Sequence, residues 1–70
     1  MAKISDEQFK RLNEELSDLS IKWDKLNDFI ENNPKFEELE DVHRILLVNQ
    51  CNAMELYKYA LQSRIERLID

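Results

Sequence analysis

The sequence predicts an all-α protein, a hairpin of two long antiparallel helices joined by a short helical turn. The 70 residues include no glycine and one proline, and 36% of them are charged, which is typical of helical chains with few turns. Apolar residues recur at helical spacing on both sides of the proline. We therefore treat residues 1–70 as one hairpin domain, with helices at about 5–32 and 40–69 and a turn at 33–39.

The first helix is predicted to begin at a capping signal. Ser5 and Gln8 have the spacing of a capping box, and Asp6 and Glu7 place acids at the positive end of the helix. Beyond them, apolar residues follow alternating steps of three and four, which keeps one seam facing one partner helix. The seam consists of Phe9, Leu12, Leu16, Leu19, Trp23, Leu26 and Ile30. We expect this seam, Trp23 included, to form the core of the hairpin.

Asn33 and Pro34 are predicted to end the first helix. The residue before a proline is pushed out of the α region, and asparagine tolerates the left-handed conformation that closes a helix. Pro34 suits the first turn of the segment that follows. We expect a short helical turn there, with Phe36 and Leu39 folded back onto the end of the first helix.

The second helix carries more apolar surface than one partner helix would cover. The first stripe, which passes Asn49, consists of Val42, Leu46, Ala53, Leu56, Tyr57 and Ala60. The second stripe, which passes Lys58, consists of Leu47, Cys51, Met54, Leu61, Ile65 and Leu68. A large exposed apolar patch usually marks an interface. We expect the first stripe to close the hairpin and the second to build a homo-oligomeric helical bundle.

Composition also favours self-association. A chain this short has a small core, which rarely supplies more than about 3–5 kcal/mol. One cysteine excludes an intrachain disulfide, and one cysteine with one histidine excludes a closed zinc site within one chain. Association between copies is the remaining source of stability.

Charge and hydropathy limit the other partners. The net charge of −5 argues against binding a DNA or RNA polymer, because such binding depends on neutralising phosphates. The chain shows no signal-peptide pattern and no run of membrane-spanning length, so we expect no membrane contact. A free cysteine without a secretion signal fits a cytoplasmic protein.

No residue pattern indicates an enzyme. The sequence contains no nucleophile–base pair, glycine-rich phosphate loop or metal motif, so we expect no catalytic residue, no cofactor and no metal. His43 follows an acidic run and is expected to be solvated or paired with a neighbouring acid. Cys51 lies on an apolar stripe and is expected to be inert packing.

Six residues of the second helix are candidate ligand contacts. The amides of Asn49 and Gln50 either fix the register between helices or hydrogen-bond a ligand between subunits. Tyr57 either packs in the core with its hydroxyl at the rim or stacks on a base. Arg64 and Arg67, three residues apart, either clamp a phosphate or complement the helix dipole and pair with acids. Lys58 is a further donor near them.

Five short motifs carry a resemblance to a known family. They are L-x-x-F-I-E at Leu26–Glu31, P-K-F-x-E-L at Pro34–Leu39, L-L-x-x-Q at Leu46–Gln50, A-M-x-x-Y at Ala53–Tyr57 and L-x-x-R-I at Leu61–Ile65. In this order and spacing, over about residues 12–69, the chain resembles small phage helical-hairpin proteins related to a crAss-like phage protein. More loosely, it resembles the anti-CBASS and anti-Thoeris sponges with which phages blunt nucleotide-signalled defence.

The resemblance implies a function. Proteins of the sponge family assemble into compact helical oligomers, hexamers in the best-known branch. They hold cyclic nucleotides or cyclic ADP-ribose molecules between subunits, without catalysis and without a cofactor. By resemblance, this chain is expected to sequester such a signal in the cytoplasm of an infected bacterial host and so inhibit anti-phage defence. The alternative is a helical protein-interaction module that inhibits or bridges a host protein through its exposed stripe.

Overall fold

The computed structural model describes residues 6–69, with side chains as far as residue 67. Helix α1 spans Asp6–Asn32, a short 3-10 helix spans Pro34–Phe36, and helix α2 spans Asp41–Ile69. The two long helices pack against each other, which confirms the predicted all-α hairpin. The molecule is a rod of 52 × 15 × 14 Å.

The core of the hairpin lies between the seam of α1 and one side of α2. Leu12 and Leu19 of α1 pack with Leu61 and Ile65 of α2, so the beginning of α1 meets the end of α2 and the helices are antiparallel. The residues packed around this cluster are Phe9, Leu16 and Met54. At the start of α1, Asp6 and Glu7 lie in the first turn, where acids favour the helix dipole. The predicted capping box depends on Ser5, which lies outside the described residues.

The turn between the helices is held by one side-chain cap and one aromatic contact. Asn33 is extended, with φ −96° and ψ 119°, rather than left-handed as the sequence suggested. Its Oδ1 accepts a hydrogen bond from the Lys35 backbone N–H at 2.9 Å. Phe36 is buried and meets Phe29 edge-on, with ring centroids 6.1 Å apart. The prediction that Phe36 folds back onto α1 is confirmed.

Arg44 connects the turn to the first turn of α2. Its guanidinium contacts the Glu37 carboxylate at 3.2 Å and also pairs with Asp41. Both carboxylates are exposed, so these ion pairs contribute little to stability. Their effect is to occupy one acid of the turn, Glu37, and one at the beginning of α2, Asp41.

The second stripe of α2, and not the first, packs against α1. In the second stripe Cys51, Leu61 and Ile65 are buried and Leu47 and Met54 half-buried, because this side of α2 faces α1. The exposed members of the first stripe are Val42, Leu46, Ala53, Leu56, Tyr57 and Ala60. The prediction that the first stripe closes the hairpin and the second builds an oligomer is therefore wrong.

The choice of the stripe that faces α1 follows from how much apolar surface each stripe can bury. Burial stabilises by about 25 cal/mol for each Å² of apolar surface removed from water. The second stripe offers long side chains along its length, whereas the first includes two alanines, Ala53 and Ala60, and passes Asn49. Lys58, the polar residue of the second stripe, can lay its aliphatic stem along the seam. Packing the second stripe on α1 thus removes more apolar surface from water.

Candidate ligand-binding face

The side of α2 that points away from α1 is a continuous exposed surface, which we call the outer face. It consists of Val42, Ile45, Leu46, Asn49, Ala53, Leu56, Tyr57, Ala60, Arg64 and Arg67. Leu56 is 70% exposed, and Val42, Ile45 and Leu46 are each more than half exposed. Scattered exposed leucines are ordinary on protein surfaces. Contiguous exposed apolar faces are typical of interaction surfaces.

Asn49 and Gln50 are both exposed in the hairpin. At about 100° per residue, Asn49 lies within the outer face, whereas Gln50 lies at its edge. Among the described residues, neither amide hydrogen-bonds a buried group of its own chain. Both proposed roles, register between helices and contact with a ligand, therefore require a second molecule.

Tyr57 lies on the outer face and is 46% exposed. The interpretation that it packs in the core of the hairpin is wrong, because the first stripe is not the buried one. Its ring is accessible on α2, where an aromatic face can stack on another planar group. Tyr59 is also exposed, at 61%, but lies about 200° away from Tyr57 around the helix.

Arg64 and Arg67 extend the outer face toward the end of α2 and are exposed. Within the described part of the chain, the ion pairs all involve Arg44, so no carboxylate holds either guanidinium. The alternative of pairing with Glu66 is not realised. Arg67 does lie in the last turn of α2, where a cation favours the helix dipole.

Lys58 lies apart from the other candidates. It is half-buried on the side of α2 that faces α1, and its Nζ sits 4.4 Å from the centre of the Trp23 ring. A cation over a tryptophan face is attracted by the ring electrons, by about 0.5–1 kcal/mol at exposed sites and more when desolvated. Lys58 is thus engaged within the hairpin and does not join Tyr57 on the outer face.

Trp23 leaves one polar group unsatisfied. Its Nε1 is buried and has no hydrogen-bond acceptor among the described residues. An unsatisfied buried donor costs about 1–3 kcal/mol. The sequence predicted that Trp23 belongs to the seam but did not indicate the lysine above it. The available signal was that Lys58 interrupts the buried stripe of α2.

Cys51 is a free, buried cysteine on the side of α2 that faces α1. Burial raises the pKa of its thiol, and the carboxylates of Glu55 and Glu31 raise it further. The thiolate is the nucleophilic form, so this environment does not activate the sulfur. The prediction of an inert, packed cysteine agrees with this position.

Residues 6–69 contain no group of histidine, cysteine and carboxylate side chains that could hold a metal ion. Across the same span, neither helix is long and apolar enough to cross a membrane.

The outer-face candidates form a row rather than a pocket. At about 1.5 Å of rise per residue, Asn49 and Tyr57 are about 12 Å apart along α2, and Asn49 and Arg67 about 27 Å. A convex helix surface encloses no small molecule by itself, since ligand sites are concave. Any site built from these residues needs a second surface placed against them.

The fold and this face define a class of protein, a small helical hairpin with an exposed apolar face on its second helix. Residues 6–67 match the family model of Sequestin, and the chain belongs to the Sequestin family. The name of the family indicates a protein that sequesters what it binds rather than an enzyme. No curated protein and no solved structure gives a significant match to this chain.

Proposed function

We propose that this protein sequesters a cyclic nucleotide immune signal in pockets formed between copies of the chain, without changing it chemically. In a phage-infected bacterial cytoplasm, such sequestration would lower the free signal and inhibit host defence. Membership of the Sequestin family supports the sequestering role. The observation that carries the choice of ligand is that Tyr57, Arg64 and Arg67 are exposed on one face without ion-pair partners among the described residues.

The residue types on this face match the parts of a nucleotide. Tyr57 offers a ring on which a base can stack, an interaction worth about 1–3 kcal/mol per base. Arg64 and Arg67 offer planar guanidinium groups that bind phosphate oxygens in pairs. Asn49 and Gln50 offer amides that donate to and accept from the polar edges of a base. Lys58 would join such a site only after leaving the Trp23 ring.

Binding of a defined panel tests this proposal. Thermal-shift measurements with cyclic di- and trinucleotides and cyclic ADP-ribose isomers are expected to show stabilisation by at least one compound. A ligand present at 100 times its dissociation constant adds about 2.7 kcal/mol to the stability of the protein. Mass spectrometry of the released ligand should recover it unchanged. If no compound of the panel raises the melting temperature, the proposed ligand class is wrong.

A pair of arginine variants locates the binding. Arg64→Ala is expected to weaken binding at least tenfold, because a charge-assisted pair to phosphate is lost. Arg11→Ala is the matched control, since Arg11 is an exposed arginine of α1 away from the outer face. Equal losses of affinity in the two variants would mean that general charge, and not this site, attracts the ligand.

One observation favours a second candidate function, a module that binds a host protein. The apolar part of the outer face, from Val42 to Ala60, is open in the single chain and resembles a docking surface for another helix. Light scattering at micromolar concentration separates the two candidates. A closed oligomer supports intersubunit pockets, whereas a strict monomer contradicts them and leaves the protein-binding module.

A further inference from the structure

We infer that α2 pairs with α2 of a second copy, in antiparallel orientation, through the outer face and about a two-fold axis near Ala53. The pairing itself rests on the hairpin alone. The ligand site that this pairing would complete rests, in addition, on the proposed function.

The outer face has the spacing of a helix-pairing seam. Starting at Val42, its residues follow steps of four and three without interruption, and the seam residues are Val42, Leu46, Asn49, Ala53, Leu56 and Ala60. This spacing keeps one side of a helix against one partner over several turns. Helix α1 covers the other side of α2, so no described part of the chain packs on this seam. A second helix with the same spacing is the partner that it fits.

The seam is self-complementary when two copies run in opposite directions. With the axis at Ala53, Leu46 of one copy lies level with Ala60 of the other, which sets a large residue against a small one. The two Ala53 side chains meet on the axis and allow the helices to approach closely. Large-to-small pairing of this kind fills space between helices without steric conflict.

Charge selects the antiparallel orientation. Glu38 and Glu40 lie just before α2 and Asp41 is its first residue, whereas Arg64 and Arg67 lie on the outer face near its end. Antiparallel pairing brings the arginines of each copy beside the acids of the other, and it also opposes the two helix dipoles. Parallel pairing would place like charges together at both ends. Of these three acids, Asp41 already pairs with Arg44, whereas Glu38 and Glu40 have no ion pair within the described chain.

The same geometry assembles a ligand site that one chain lacks. With the axis at Ala53, Asn49 of one copy lies level with Tyr57 of the other, although these two residues are about 12 Å apart within a chain. Each pair therefore holds two equivalent sites. Arg67 falls level with Leu39, next to Glu38 and Glu40, whereas Arg64 falls level with Val42, closer to the site. This separates the arginines into a phosphate contact, Arg64, and a pairing contact, Arg67.

Disulfide trapping in full-length protein tests the orientation. Two variants are prepared in a Cys51→Ala background, one with Leu46→Cys and one with Ala60→Cys, and are mixed before oxidation. The expected result is a disulfide between the two different variants. Disulfides of each variant with itself would show parallel pairing and overturn the inference.

A second variant keeps the test informative if pairing is weak. Ala53→Cys in the same background lies on the axis and is expected to cross-link with itself. Absence of this product, together with a monomer in light scattering of the unmodified protein, overturns the pairing.

Nucleotide binding by the trapped pair is measured separately, so the two proposals fail independently. A trapped pair that binds no cyclic nucleotide refutes the ligand and leaves the pairing. A protein that binds a cyclic nucleotide but forms disulfides only between identical variants refutes the antiparallel pairing and leaves the ligand.

Discussion

Leu61 and Leu56 lie on different sides of α2 and allow one substitution to be compared on both. Leu61 is fully buried against α1, whereas Leu56 is 70% exposed on the outer face. Replacing either by alanine removes the same atoms from the same helix, with the same small gain in helix propensity. Any difference between the two variants therefore reports the packing of each side chain and not the chemistry of the substitution.

The expected magnitudes differ widely. Leucine-to-alanine changes in a packed core cost about 2.7–5 kcal/mol, and the full burial of Leu61 places it in that class. A core of this size rarely supplies more than about 3–5 kcal/mol in total, so Leu61→Ala should leave much of the protein unfolded. An exposed substitution such as Leu56→Ala should change the stability of the single hairpin by no more than about 0.5 kcal/mol.

Urea denaturation followed by far-UV circular dichroism measures both variants at several protein concentrations. In dilute solution, Leu56→Ala should unfold as the parent does. At higher concentration the parent should gain stability from pairing, and Leu56→Ala should lose that gain. Equal destabilisation of the two variants in dilute solution would refute the assignment of the buried and exposed sides of α2. Tolerance of Leu61→Ala would refute the described core.

Three further predictions concern the contact between Lys58 and Trp23, the turn, and the Cys51 thiol. A double-mutant cycle with Lys58→Met and Trp23→Leu should give a coupling of about 0.5–1 kcal/mol in urea denaturation, because the cation lies over the ring; strictly additive effects would contradict that contact. Phe36→Ala should cost about 3 kcal/mol in the same measurement, since the ring is buried edge-on against Phe29; a change below about 0.5 kcal/mol would show that the turn does not hold the hairpin. Burial raises the pKa of the Cys51 thiol above its ordinary value of 9.0, so the unfolded chain loses this proton first. The stability contributed by the neutral thiol is complete below pH 9 and is lost as the pH rises through the folded pKa. The decline of the parent above pH 9 should therefore exceed that of Cys51→Ala, and identical pH profiles would show that the thiol is not protected.

The residue types of the candidate face could be identified from the sequence. Tyr57, Arg64 and Arg67 were selected because aromatic and cationic groups recur near the end of α2. Their exposure was not predictable in the same way. Tyr57 is amphipathic and fits equally well inside a core or on a surface, so only the packing of α2 decides which.

Lys58 shows why adjacency in sequence is a poor guide to a shared site. It follows Tyr57 directly, yet one residue rotates the side chain about 100° around the helix. That rotation places Lys58 on the side of α2 that faces α1, beside the Trp23 ring. The helical step alone separates the two residues, and the packing of α2 decides that Lys58 rather than Tyr57 faces α1.

The sequence alone determined that the chain is helical, that a break occurs near Pro34, and that α2 has two apolar stripes. These are local properties, since periodicity and a proline act within a few residues. Only the tertiary structure decided which stripe faces α1, because both satisfy the helical period and the choice depends on the total surface that the pair of helices removes from water. That one choice buries Leu61, leaves Leu56 exposed, and turns the Asn49 side of α2 outward as the surface available to a partner.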